Sequence, residues 1–440
     1  MLLIECIPLK GPEEGWKANW TMWVRVMVAS IFVGGGIVFL SRAIIEEGKI
    51  SVTRAIGITI VSAILYAALG CLLAATWKYP IPFGMVLMVC PFVSIIMNLI
   101  LLSIDFKDLK TNKKLRKQLV GHIIGSSAQS LLVVAYPTFN AVFLHLSGSQ
   151  QAIFMLVLPV IKFITKQIIA KVATYLEDYI GVVIVFSVDV FNVLYVAICM
   201  QTARSSLTTI LVMSSDILQI FLALRNVYYH TNHILQQHDK DKGNVPYVDK
   251  ILLSVAQFQP RKNPYSGPIR LFMPYKVPLS ATSRDLLENV ERKWNRNEGN
   301  LSCVKLEKSI KEGLQVLFYC EYVIMSEYIE CILPLVYAGY LSGLYRLPTA
   351  AYYPFTRSLT PTKMRSTLIQ LIMYGSLEFW SFVGLHVLLK KRLGYSPVYQ
   401  LAFVLETHVI IVQSLLFIWI IFIVQLTLVH AGVDFNAPFQ

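Results

Sequence analysis

Residues 313–337, GLQVLFYCEYVIMSEYIECILPLVY, decide the fold class of this chain. The stretch is almost wholly apolar. A helix rising ~1.5 Å per residue needs only ~20 such residues to cross the hydrocarbon core of a bilayer. Three carboxylates, Glu321, Glu327 and Glu330, nevertheless lie inside it. A charge at that depth is costly unless protein or water receives it. Glu327 and Glu330, three positions apart, share one helix face, and Glu321 points elsewhere. The stretch therefore reads as a span packed among other helices.

Outward from this stretch the same pattern recurs. Apolar segments of span length occur at about 20–40, 55–77, 81–104, 119–146, 152–176, 179–200, 207–226, 366–389 and 399–430. Of the 440 residues 55% are hydrophobic and only 15% charged, well below the ~25% charged that soluble domains carry. The expectation is an all-α, polytopic integral membrane protein with about ten transmembrane helices. Three parts follow: an N-terminal membrane bundle of about seven spans at 1–227, a polar loop at 228–312, and a C-terminal bundle of about three spans at 313–440. The net charge of +13 fits cytoplasmic loops facing anionic headgroups and gives no reason to invoke nucleic acid. The start, MLLIECIPLKGPEEGW, has neither a basic n-region nor a small-residue cleavage site, so the first span is expected to act as an uncleaved insertion signal. The seven cysteines are scattered without a C-x-x-C pair, which suits small buried hydrophobes.

Charge sets the orientation. Lys107, Lys110, Lys113, Lys114, Arg116 and Lys117 mark a cytoplasmic loop by the positive-inside rule. The segment 152–176 is the equivocal one, because Lys162, Lys166 and Lys171 punctuate its second half. It either spans obliquely with lysines snorkelling to the cytoplasm or lies along the interface. Spanning is favoured, since otherwise Lys390-Lys391-Arg392 would fall outside. On this topology both termini are external, and the sequon Asn300-Leu301-Ser302 is cytoplasmic and unmodified. Trp16, Trp20 and Trp23 suit an interfacial belt. Gly34-Gly35-Gly36 suggests close packing or a hinge.

Strongly polar groups recur inside the expected spans: Asp189 with Asn192, Asp216 with Gln219, then Glu327, Glu330, Glu378, and Glu406 near His408. Intramembrane acids that face the bundle interior mark ion and proton pathways. The competing reading makes them interhelical hydrogen-bonding groups, or partners for Lys162, Lys166 and Arg204. His230, His233 and His238 read as a solvated juxtamembrane face, and no metal or cofactor site is expected. Metalloprotease, serine-hydrolase, P-loop and dinucleotide signatures are all missing, which points away from an enzyme. The division into seven and three spans also lacks the matched halves of many carriers.

The C-terminal third carries a resemblance. Lys390-Lys391-Arg392-Leu393-Gly394-Tyr395-Ser396-Pro397-Val398-Tyr399-Gln400-Leu401-Ala402-Phe403-Val404-Leu405-Glu406-Thr407 resembles a large family of multi-pass membrane proteins of oomycetes, the water moulds. So do Glu327-Tyr328-Ile329-Glu330-Cys331-Ile332-Leu333-Pro334, Tyr352-Tyr353-Pro354 and the ending His430-Ala431-Gly432-Val433-Asp434-Phe435. The resemblance implies origin and architecture, with no established activity. It places Glu327, Glu330 and Glu406 within recognised motifs.

The functional expectation is a secondary transporter or channel for a small solute or ion in the plasma membrane. Glu327 and Glu330 would be the coupling or selectivity pair, with Asp189, Asp216, Glu378 and Glu406 as supporting pathway groups. The alternative is a receptor-like or scaffolding membrane protein whose basic loop at 228–312 binds a cytoplasmic protein or anionic lipid.

Overall fold

The computed structural model describes residues 1–229 and 301–432, apart from 49, 174, 175, 177, 178, 204–208, 220, 223, 224, 226, 227, 358, 394 and 395. For 106, 301–316, 392 and 393 only the backbone is described. Most of the expected polar loop, and with it the three histidines and the sequon asparagine, lies outside the described residues.

Among the described residues there is no strand, and nine helices are long and apolar enough to cross a membrane. A short helix α1, Leu2–Glu5, precedes α2, Trp20–Ile44. Then come α3, Val52–Thr76, α4, Gly84–Ser103, and α5, Lys113–His145. The equivocal segment forms α6, Gly148–Val172, and α7 spans Ile180–Thr202. Within the expected seventh span the described helix is shorter, α8, Thr209–Gln219. The Glu-bearing stretch belongs to α9, Leu301–Leu344, followed by α10, Pro361–Leu393. The expected last span divides at His408 into α11, Pro397–Thr407, and α12, Val409–Leu426.

Local sequence explains where several of these helices start. Ser51 accepts from the Arg54 N–H to cap α3, and Asn112 accepts from the N–H groups of Lys114 and Leu115 to cap α5. Ser147 and Gln150 form a reciprocal capping box at the head of α6. Pro397 opens α11, where its missing N–H costs no helical bond.

Helix α7 is the axle of the bundle. It is apolar around most of its surface, and all of its residues except Thr202 are buried, as expected of a helix enclosed on all faces. Helices α5, α6, α9, α10 and α12 surround it. Helices α3, α4, α5, α6 and α10 each bury only about a third of their span-length window and leave their outer apolar faces for lipid. The two membrane segments on either side of the polar loop interlock: α12 packs along α2, and α9 packs along α7 and α10. Gly36 makes the first of these contacts possible. A Cβ there would sit 2.8 Å from the Ser414 carbonyl oxygen, so the glycine run serves close packing.

Candidate functional site: a buried charge cluster

Helix α6 corrects the expectation of snorkelling lysines. Lys162 and Lys166, one turn apart, turn inward toward α7 and α9 instead of outward to the headgroups. The reason is that carboxylates on those helices offer partners that a lipid-facing position lacks. Lys166 Nζ lies 2.7 Å from Asp189 Oδ1, with the Tyr322 ring centroid at 5.0 Å as a second partner. Lys162 Nζ is 3.5 Å from the same Asp189 oxygen and pairs directly with Glu330. The Ser326 hydroxyl donates to the other Asp189 oxygen at 2.8 Å.

Asp189 owes its position to an irregularity that its sequence does not announce. Residues Val185–Asp189 form a π-helical segment within α7, a local widening of the helix found disproportionately at functional sites. Asn192 follows one turn later, and its buried carbonyl oxygen has no hydrogen-bond partner.

The second half of the cluster lies between α9 and α10. The Ser381 hydroxyl donates to Glu327, which is buried. Glu378, one turn before Ser381, is fully buried, and neither of its carboxylate oxygens has a hydrogen-bond partner. The charges that act on it are those of Glu330, Asp216, Glu327 and Lys162. On α8, Asp216 accepts from Gln219 Nε2 at 3.2 Å and hydrogen-bonds with Tyr374 of α10. A cavity of about 20 Å³ touches Asn192, Asp216 and Gln219, room for one water-sized guest.

Five of the six acids anticipated from sequence thus converge: Asp189, Asp216, Glu327, Glu330 and Glu378. Glu406 does not join them. It is exposed on α11, one residue before the helix ends, because the break at His408 detaches it from α12.

A second polar knot escaped the sequence reading. Arg25, on α2, is buried and pairs with the buried Glu5 of α1. Tyr353 donates to both Glu5 oxygens at 2.8 and 2.9 Å, and Gln425 Nε2 donates at 2.7 Å. Tyr340 adds a fourth partner at 3.2 Å. The signal is present in the sequence, since Arg25 is as conspicuous inside an apolar span as any carboxylate.

No protein-family model, curated protein or solved structure matches this chain.

What the cluster can do follows from its own composition. Five carboxylates face two ammonium groups. Lys162, Lys166, Asp189 and Glu330 balance as an ion-pair quartet in which every charge has a partner. Glu327, Glu378 and Asp216 are left beside them. In a low-dielectric interior an unmatched charge costs several kcal/mol, so these three acids require a proton or a cation to complete the balance. Such a site can take up and release positive charge, provided the bundle opens to water on one side and then the other.

Proposed function

We propose that this multi-pass membrane protein is a non-enzymatic secondary transporter that moves a small solute or ion, coupled to protons or another cation held by the acids between α8, α9 and α10. The observation that carries the reading is Glu378: a carboxylate wholly buried, without a hydrogen-bond partner, on which mostly other carboxylates act. A group serving stability alone would have an apolar replacement that cost nothing, or a partner. Glu327 and Glu330 bridge the two halves of the site, because their shared face on α9 meets Ser381 on one side and Lys162 on the other. The plasma membrane is the host we assign by default.

The test is flux through purified protein in liposomes under an imposed pH gradient, with a panel of small solutes and ions. Glu327→Gln, Glu330→Gln and Glu378→Gln should each lower gradient-driven movement by roughly tenfold or more, the loss expected from removing one coupling interaction of ~1.4 kcal/mol. Equal flux in all four proteins, above that of empty vesicles, would remove the coupling role.

The second reading, a scaffold or receptor, draws on the closed quartet of Lys162, Lys166, Asp189 and Glu330, which is also how a purely architectural polar core looks. On that reading the 228–312 loop docks a cytoplasmic protein or anionic lipid. Flux with none of the solutes, together with a clear loss of stability in Glu330→Gln, whose carboxylate pairs with Lys162, would favour it.

A further inference from the structure

Away from the charge cluster, α2, α4, α5 and α12 enclose a cavity of about 110 Å³. Its walls are mainly apolar, as at Val33 and Phe422, but its lining also includes Arg25 and Trp419, with Ser30, His122, Gln129 and Gln425 among further polar groups. Arg25 and Trp419 share a property. Arg25 Nη1 and Trp419 Nε1 are both buried nitrogen donors with no hydrogen-bond acceptor, on side chains 1% and 6% exposed. The large majority of buried side-chain polar atoms in folded proteins have a hydrogen-bond partner. Two unsatisfied donors on one cavity therefore point to a guest that carries acceptors.

The rest of the guest follows from charge and size. The Arg25 charge is already matched by Glu5, so the cavity presents hydrogen-bond donors without net positive charge, and an anion would lose its hydration for little return. The volume is of the order of the ~150 Å³ apolar cavity that takes up a benzene ring. We infer that this cavity binds the oxygen-bearing end of an uncharged lipophilic molecule, an ester or ketone, with its carbonyl oxygen accepting from Arg25 or Trp419 and its apolar body against Val33 and Phe422. Either a bilayer lipid, through an acyl ester, or a free lipophilic ester could supply that chemistry. The inference stands independently of the transport proposal, because none of the groups in the charge cluster lines this cavity.

The experiment uses the full chain in detergent micelles and three alkyl diazirine photoprobes of equal length, ending in a methyl ester, a carboxylate or a methyl group. The ester probe should label peptides of α2, α5 and α12 saturably. Its yield there should exceed that of the other two by about fivefold, the ratio one net hydrogen bond supplies. Ser130→Phe, which fills the cavity from α5, should abolish that labelling. If the variant fails to fold, saturable competition by unlabelled methyl ester on the wild-type protein serves instead. Displacement of the ester probe by added phospholipid would assign the guest to the bilayer, and persistence of labelling would assign it to a free molecule. Equal labelling by ester and hydrocarbon probes, or labelling that neither Ser130→Phe nor competitor reduces, overturns the inference.

Discussion

Single side chains in this molecule differ sharply in what their removal should do, although all are polar and buried. Lys166→Met leaves Asp189 with Lys162 at 3.5 Å and one serine hydroxyl, and breaking a buried pair from one side costs about 3–5 kcal/mol. The melting temperature in detergent should fall clearly, and Lys166→Met combined with Asp189→Asn should regain part of the loss. A double variant no more stable than the single one would show that the pair is not the stabilising unit. Glu378→Gln should behave oppositely: with no partner to lose, its melting temperature should stay level or rise. His430 gives a pH signature outside the spans. Its Nε2 donates to the Lys10 carbonyl oxygen at 2.7 Å while Nδ1 has no partner. Burial first, and the Arg25 charge second, hold its pKa below the usual 6.5, against the Lys10 hydrogen bond and Glu13. The unfolded chain then binds more protons than the folded one below pH 6.5, so stability rises with pH in that window. Melting temperature should drop as pH falls below 6.5 in the wild type and drop less in His430→Gln; parallel curves would exclude the histidine. Gly432 completes the residue scale. Its φ is +75°, its carbonyl oxygen accepts from the Phe83 N–H, and a Cβ would lie 1.6 Å from the Ile81 carbonyl oxygen. Gly432→Ala should cost at least the ~1–2 kcal/mol of a left-handed residue, read as a lower melting temperature.

Helices were the most legible level of the sequence, and their neighbours the least. Hydropathy alone places α2 to α5 and α7, because a span-length apolar run has few alternatives, whereas α6 needs the charge of the later loops to place it. Hydropathy also flags Asp189 and Glu330 as groups that need a partner. The sequence offers Lys162 and Lys166 as candidate partners but not which acid each meets, since pairing depends on which helices touch, and α6 and α9 are far apart in sequence. Nor does mean hydropathy distinguish the enclosed α7 from the half-exposed α4, at 2.4 and 2.6. The π-helical segment before Asp189 is a hydrogen-bond register, invisible to residue type. The central placement of α7 has a direct consequence for its cysteine. Cys199 on α7 and Cys320 on α9 are fully buried, while Cys6 and Cys90 are exposed. A membrane-permeant maleimide should label Cys6, which lies outside the spans, in the native protein and reach Cys199 and Cys320 only after denaturation. Native labelling of Cys199 at the rate of Cys6 would mean that α7 is not enclosed.

Across the whole molecule, the first residues close the bundle that the last helix completes. Glu5 takes donors from α2, α9, α12 and the turn carrying Tyr353, and Thr349 bonds its carbonyl oxygen at 2.9 Å. One carboxylate near the start of the chain thus ties together elements more than 300 positions apart. The tie is also electrostatic, because Arg25 is buried and Glu5 is the carboxylate that pairs with it. Removing residues 1–10 should therefore cost about 3–5 kcal/mol, the expense of a stranded buried charge, and lower the melting temperature by several degrees. Adding Arg25→Met to the truncated protein removes the stranded charge while keeping much of the side-chain volume, and should restore most of that loss. If the truncated chain melts like the full one, Arg25 has found another counter-charge or water, and the first helix is an ornament. If truncation destabilises but Arg25→Met gives no recovery, the lost packing of Leu2 and Ile4 against α9, and not charge, holds the two ends of the chain together.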